Sequence, residues 1–449
     1  MKSGKSDGLS RRQMVRGVAA AAAALPYVLG CDQESRQKKV ETGPGPAKPA
    51  VPGKQAAPAL ATGKPGKPIK VGLIGCGGRG TGAAHNALAA DPAVKIVALA
   101  DAYKDRLEGC RKDLAEKAKV EIEGKNCFVG FDAYQKLVEL DLDYVILATP
   151  PYYRPVHFTA AIKAGKNVFT EKPVAVDPVG IRMMLEAGKM ADEKKLSVTA
   201  GTQRRHQNSY IQTIKRIHDG AIGKVLSAQC YWNGGQLWYK ERDPNWSDEE
   251  WMHRDWVNWC WLSGDHIVEQ HVHNLDIMNW VFKTHARKVV AMGGRARRVT
   301  GNQFDFFSAD LQFPNPEAPD KENMDIHVHS MCRQINACAS SVSERVIGEK
   351  GVSNCAGWIS SDGKLDIPGN EPYVQEHVDL IKAIRAGERI NETKNVSEST
   401  MTAVMIRMSA YTGKEVSWDD AIESDLKLGP PDYKLDEEEI RKHIPVPGK

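Results

Sequence analysis

The stretch Ile69-Lys-Val-Gly-Leu-Ile-Gly-Cys-Gly-Gly-Arg-Gly80 runs from a short apolar segment into a glycine turn, with Gly75, Gly77 and Gly80 in the spacing G-x-G-x-x-G. In a strand–turn–helix unit the first glycine permits a tight turn and the second lets a pyrophosphate approach bare backbone. The third lets the helix pack close to the strand. Phosphate charge then sits on free N–H groups at the helix start, which makes Gly75, Gly77, Gly78, Arg79 and Gly80 candidates for dinucleotide contact. The glycines alone also fit an ordinary loop, so the reading depends on what surrounds them.

Downstream, residues 81–90 suit a helix, and Val94-Lys-Ile-Val-Ala-Leu-Ala100 reads as a buried strand ending in Asp101. An acidic side chain at the end of a second strand accepts hydrogen bonds from an adenosine ribose and disfavours a 2′-phosphate, so Asp101 points to NAD, with NADP left open by Lys104 and Arg106 nearby. The competing role for Asp101 is to cap a helix over 102–115. Asp143-Tyr-Val-Ile-Leu-Ala-Thr-Pro-Pro151 is a further apolar strand stopped by prolines, and Lys166-Asn-Val-Phe-Thr-Glu-Lys-Pro173 another. Strands alternating with helices imply an α/β fold whose first domain, 69–200, is a doubly wound parallel Rossmann sheet. Ligands bind such sheets beyond the carboxyl ends of the strands, where Thr149, Pro150, Glu171 and Lys172 fall.

Composition narrows the function classes. The chain has 449 residues, 41% of them hydrophobic, enough for two domains. Its formal net charge of +4 is concentrated at the N-terminus: residues 1–68 hold 12 Lys and Arg against 4 Asp and Glu, leaving 49 against 53 in the body. A slightly acidic body offers no broad basic face for nucleic acid.

Residues 1–31 carry Ser10-Arg-Arg-Gln-Met-Val-Arg16 ahead of an alanine-rich run, the pattern of a twin-arginine export signal. Val28-Leu-Gly-Cys31 resembles a lipobox, so Cys31 is a candidate lipid-anchored first mature residue. A Pro/Gly/Lys-rich stretch, 32–68, reads as a flexible tether. These features place the expected body in the periplasm, with lipid anchoring left open.

The Gly75–Gly80 motif, the Ala148-Thr-Pro-Pro151 strand end and above all Ala164-Gly-Lys-Asn-Val-Phe-Thr-Glu-Lys-Pro173 resemble the Gfo/Idh/MocA oxidoreductases. The resemblance extends over roughly 69–425 and includes Val198-Thr-Ala-Gly-Thr-Gln-Arg-Arg-His206. It implies a second domain, 201–430, of α+β type with an open, mainly antiparallel sheet that carries substrate residues and mediates homo-oligomerisation, followed by a polar tail, 431–449.

Within that second domain, Ser263-Gly-Asp-His-Ile-Val-Glu-Gln-His-Val-His-Asn-Leu-Asp276 is the chemical core. Glu269 and His273 are four apart and are predicted to share one helix face, with Val268, Val272 and Leu275 on an apolar stripe. A carboxylate beside an imidazole suits proton transfer near neutral pH. The resemblance implies His273 as acid/base, Glu269 where the family commonly has Asp, and Lys172 orienting the reacting hydroxyl. Arg205, His271 and Trp256 are further candidates for substrate contact, His271 standing where the family often has a small residue. The density of His266, Glu269, His271 and His273 raises a metal site as an alternative, but proton-transfer histidines account for it with fewer assumptions, and no metal is expected. Seven of the ten tryptophans lie within 232–261, read as a loop lid able to stack on sugar rings. Nine cysteines form no compact disulfide framework.

The implied reaction is hydride transfer between a sugar or polyol and a nicotinamide. Export without a cofactor pool outside the cytoplasm implies a dinucleotide that stays bound. A redox-neutral NAD-dependent glycosidase and a non-catalytic sugar-binding protein are the alternatives.

Overall fold

The computed structural model describes residues 66–448. The expected signal and lipobox, Cys31 included, and nearly all of the tether lie outside the described residues. No described helix is long and apolar enough to cross a membrane.

The first sheet is built as the alternating pattern predicts. Strands β1 (Ile69–Ile74), β2 (Val94–Asp101), β3 (Cys127–Val129), β4 (Tyr144–Leu147), β5 (Asn167–Thr170) and β6 (Val198–Ala200) are all parallel, in the order β3-β2-β1-β4-β5-β6. Both faces of a parallel sheet are covered by crossover helices, so its strands are apolar runs rather than alternating ones. All four residues of β4 are 0% exposed. The helices between them are α1 (Gly78–Ala90), α2 (Lys104–Asp113), α3 (Ala133–Val138), α4 (Arg154–Lys163) and α5 (Pro178–Glu193). The order reverses between β1 and β4, which places a ligand crevice beyond their carboxyl ends.

The second sheet has nine strands. Its central members are β7 (Val225–Gly234), β8 (Lys288–Gly294), β9 (Phe306–Phe313), β10 (Ile326–Gln334) and β11 (Ser341–Gly348). Every pair is antiparallel except β7 with β10. In β10 burial alternates strictly, with Ile326, Val328, Ser330, Cys332 and Gln334 inward, the signature of a sheet covered on one face. That face packs on the helices α6 (Asn208–His218), α10 (Val272–Phe282) and α12 (Thr393–Thr412). Between β7 and α10 lie three short helices, α7 (Asp248–Arg254), α8 (Cys260–Ser263) and α9 (His266–Glu269), and between the small strands after β11 and α12 lies α11 (Pro372–Ala386).

Three departures from expectation matter. Glu269 and His273 do not share one helix: α9 ends at Glu269 and α10 begins at Val272, because the His271 N–H reaches back to the His266 carbonyl and the His273 N–H to Gln270. Helix α11, far along the chain, packs on α1 and contributes Leu380 and Ile381 to the first sheet's core. The polar tail is not wholly solvated: its helix, α13 (Glu437–Lys442), turns its glutamates to water as a solvated face but sets Ile440 beside Leu435 under the tryptophan-rich segment.

Candidate active site

The glycine turn shows a division of labour. Gly75 has φ +97°, and a Cβ there would stand 2.6 Å from the Thr149 backbone nitrogen. A Cβ on Gly80 would fall 1.8 Å from the Gly75 carbonyl oxygen, so this glycine is required by close packing of α1 on the turn. Gly77 and Gly78 have nothing within 4 Å of their Cβ positions, which leaves bare backbone at the mouth of the crevice. No side chain caps α1, so its first N–H groups are free for an anion. Buried Arg79 Nη2 also lacks a partner among the described residues. These orphaned donors and the open glycine cradle fit the pyrophosphate of a dinucleotide.

Asp101 does not cap α2, whose N-cap is Tyr103 with no side-chain cap bond. One carboxylate oxygen accepts from the Cys76 N–H at 2.7 Å and the other from the Tyr103 N–H at 2.9 Å, tying the glycine turn to the start of α2. Burial raises its pKa against those two bonds. Each oxygen keeps a further lone pair for a ribose hydroxyl. Thr149 lies against Gly75 and its hydroxyl meets His157 Nδ1 at 3.2 Å; Pro150 follows at the crevice edge.

Glu171 is 4% exposed and ion-paired to Arg79 Nε. It therefore anchors the glycine loop from below, and a Cβ on Gly201 would reach its Oε2 at 2.4 Å. Burial opposes the charge on Arg79, but Glu171 and Glu376 outweigh it and raise the guanidinium pKa. Glu376, from α11, is fully buried with both carboxylate oxygens unpartnered among the described residues, and burial together with neighbouring Glu171 pushes its pKa well up.

Lys172 follows Glu171 and brings the two domains together. Its Nζ donates to the Glu269 carbonyl and, at 3.1 Å, to Glu269 Oε1. An ammonium has three donors, so one remains for a substrate oxygen. The peptide bond from Lys172 to Pro173 is cis. His273 stands at the start of α10, 8% exposed, its ring stacked on Trp232 at 5.7 Å between centroids, and it forms no side-chain hydrogen bond among the described residues. Burial, then the charges of Lys172, Arg204 and Arg79, hold its pKa well below the usual histidine value. It is the neutral ring at pH 7, with its proton-accepting nitrogen free.

The three catalytic candidates and the glycine-loop group thus converge, whereas the proposed substrate contacts do not. His271 is 0% exposed and bonds through Nε2 to the Ser330 hydroxyl at 2.7 Å, since the helix break turns it into the sheet. Burial drives its pKa down to about 3. Arg205 grips Asp276 through Nε at 2.9 and 3.0 Å and lies over Trp280, lining a separate cavity of about 260 Å³ with Asn279 and Lys283. Trp256 packs edge-on to Trp238 and against a small core with Trp259 and Trp261, which are 0% and 4% exposed. The tryptophan run is chiefly a structural cap. The histidine cluster diverges likewise: His266 pairs with Asp265 at 2.9 Å, and no group of three metal-ligating side chains occurs among the described residues.

Sequence reasoning missed two residues that shape the site and gave a third, Trp232, to a loop lid although it sits on β7. Arg154, 4% exposed, donates to the Thr149 carbonyl and the Pro173 carbonyl, fixing the loops after β4 and β5 together. Arg204, beside the residue chosen from sequence, pairs with Glu344 and lies 5.8 Å over Trp232. Trp232 is the stacking platform for His273; its inward parity with Ala228 and Cys230 on β7 was the available signal.

Comparison with known proteins agrees with this architecture. A family model described as an oxidoreductase family with an NAD-binding Rossmann fold matches 69–202, and the GFO/IDH/MocA C-terminal domain matches 210–353, together more than half of the chain. Inositol 2-dehydrogenase of Acidothermus cellulolyticus is 27% identical over 233 residues, 52% of this chain and 59% of that protein. Inositol 2-dehydrogenase 4 of Saccharopolyspora erythraea is 31% identical over 162 residues, 36% of this chain and 44% of that protein. The matched stretches thus span between two-fifths and three-fifths of these relatives. Among solved structures, scyllo-inositol dehydrogenase from Lactobacillus casei with bound NAD(H) and scyllo-inositol superposes with a TM-score of 0.58 at 18% identity, over 79% of this chain and 100% of that one. At that identity the likeness shows the fold alone.

Proposed function

The chain belongs to the Gfo/Idh/MocA oxidoreductase family, and on that premise we propose that it is an NAD-dependent dehydrogenase of a polyol or sugar. The observation that carries the reading is a neutral, unbonded His273 ring beside Lys172, at the carboxyl ends of a sheet whose glycine turn is open to a dinucleotide. Inositol dehydrogenases among the relatives favour a cyclic polyol.

Gly75, Gly77, Gly78, Arg79, Gly80, Asp101, Thr149, Pro150 and Glu171 would hold the dinucleotide. When bound, its nicotinamide supplies the hydride acceptor. The protein's share is orientation and proton handling. The remaining donor of Lys172 Nζ holds the substrate hydroxyl oxygen and favours alkoxide character. Glu269 fixes that ammonium through two acceptors, and so acts as a positioning residue. His273 accepts the hydroxyl proton at a ring nitrogen. Its depressed pKa makes it a weak base toward an alcohol at rest, so proton transfer accompanies loss of the hydride, as the substrate oxygen becomes a carbonyl. Trp232 holds the imidazole plane and leaves an apolar wall beside it.

The twin-arginine pattern supports export, the lipobox-like Cys31 supports a lipid anchor, and export supports a resident cofactor. The one-sided second sheet supports a homo-oligomer. The deciding experiment incubates the purified full chain with NAD and a panel of inositols, aldoses and aryl glycosides. NADH formation with a cyclic polyol supports the dehydrogenase. Release of the aglycone without net NADH favours the glycosidase, and failure to bind NAD removes both.

A further inference from the structure

The chain inserts a helix of its second domain across the rim of the first. Helix α7 carries His253 and Arg254, and both leave their own domain. Arg254 makes a bidentate pair with Asp105, Nη1 to Oδ2 at 2.9 Å and Nη2 to Oδ1 at 3.0 Å, while its Nε is held by Glu250 at 2.8 Å. The guanidinium is clasped between rings, 4.9 Å from Tyr103 on one domain and 4.9 Å from Trp246 on the other. His253 Nδ1 donates to the Glu249 carbonyl at 2.7 Å, which leaves Nε2 to accept from the Tyr153 hydroxyl at 2.6 Å. Its ring also meets Phe131 at 5.1 Å.

The partners share one location. Tyr103 and Asp105 follow the end of β2, Phe131 the end of β3, and Tyr153 the end of β4. Asp101, the ribose candidate, is hydrogen-bonded to the Tyr103 N–H itself. The segment is stiff from behind, because Met252, Trp259, Trp261 and Leu262 share a core with Leu435 and Ile440 of the tail.

We infer that α7 is a latch over the adenosine side of the dinucleotide crevice, closed by the Arg254–Asp105 pair and the His253–Tyr153 bond, and that the dinucleotide leaves only when the latch opens. The inference rests on the dinucleotide reading above and supplies a structural cause for a resident cofactor. Release then proceeds from an open minority state, and its rate follows the population of that state. A bidentate charge-assisted pair is the strong element of the closure.

The test uses the full chain purified with its nicotinamide dinucleotide. Two quantities are read: the dinucleotide retained after gel filtration, and its release rate into an excess of a scavenging dehydrogenase. Arg254→Ala and Asp105→Asn are each expected to speed release about tenfold, with no further gain in the double variant, since either change forfeits the same pair. The swap of Arg254→Asp with Asp105→Arg should recover part of the retention. His253→Ala, which leaves the ion pair intact, should speed release on its own and add to Arg254→Ala. Wild-type release rates in variants whose cofactor-free thermal midpoints are unchanged would overturn the latch alone. If the wild-type chain binds no dinucleotide at all, the functional reading falls with it.

Discussion

Two glycines of one motif are expected to fail in opposite ways when each is given a single methyl group. At Gly77 the backbone is extended, φ −69° and ψ −177°, and no heavy atom lies within 4 Å of the new Cβ. Alanine is a poorer N-cap than glycine, but it also restricts the unfolded chain, so Gly77→Ala should change cofactor-free stability by less than about 1 kcal/mol. At Gly80 the Cβ would stand 1.8 Å from the Gly75 carbonyl oxygen, well inside van der Waals contact, and the obstructing atom is backbone. Helix α1 or the turn must move, at a cost of about 1–3 kcal/mol for overpacking, less up to about 1 kcal/mol for alanine's better helix propensity. Urea unfolding without cofactor should therefore separate the two variants. Calorimetric titration with NAD supplies the other half: Gly77→Ala should lose at least tenfold in affinity, about 1.4 kcal/mol, although its apo fold is intact. Wild-type NAD affinity in Gly77→Ala would refute the reading that its open space receives phosphate. Equal apo stability of Gly80→Ala and wild type would refute the packing argument.

Glu376 is a buried acid with raised pKa, so the folded state keeps a proton that the unfolded state releases. Its contribution is whole below the unfolded glutamate pKa of about 4.3 and is lost by about 1.4 kcal/mol per pH unit as pH rises toward the folded value. Glu376→Gln should flatten the wild-type stability curve over pH 5–6.5, and parallel curves from urea titrations would contradict this. For His273 the folded pKa is lowered, so kcat/KM for oxidation should hold its plateau from pH 8 down through 6.5 and fall only below. His273→Asn should cut kcat at least about 100-fold while NAD affinity measured by calorimetry stays unchanged. Lys172→Met removes the largest of the charges depressing His273 after burial itself, so any residual activity should show its acid limb at higher pH than wild type. Gly201→Ala forces a Cβ onto Glu171 Oε2 and should weaken NAD binding through the displaced Arg79 partner, read as a raised Kd.

The first sheet was legible because its signals are local. The glycine spacing, the acidic strand end at Asp101 and the apolar runs into Thr149 and Lys172 each describe a turn or a strand end within a few residues. The second sheet was foreseen through the family resemblance, which implies a mainly antiparallel sheet within 201–430, as the strands from β7 onward form. The side-chain destinations within 263–276 were not, because a helical wheel presumes an unbroken helix and the break at Gln270–His271 redirects every residue after it. His271 thereby exchanges the cleft for Ser330, and Trp232 from a distant strand takes the place beside His273. Arg204 and Arg205 are adjacent, so spacing offered no ground to choose; the partner across space, Glu344 or Asp276, decides which faces Trp232. Aromatic density likewise speaks of burial and of binding equally, and only the C-terminal tail, which supplies Leu435 and Ile440, shows that most of the tryptophans needed a core.

Helix α11 bears on the order in which the protein can be made. Leu380 and Ile381 complete the core under β1, His377 packs 4.3 Å from Phe169 of β5, and Asn391 bridges to Val198 of β6. Glu392, just before α12, accepts from the Ala200 N–H at 2.8 Å. On a ribosome the glycine turn emerges long before the layer that backs its sheet. The nucleotide crevice is thus translated ahead of the layer that completes it, so a chain truncated before α11 carries every glycine of the motif but lacks the wall that holds them in place.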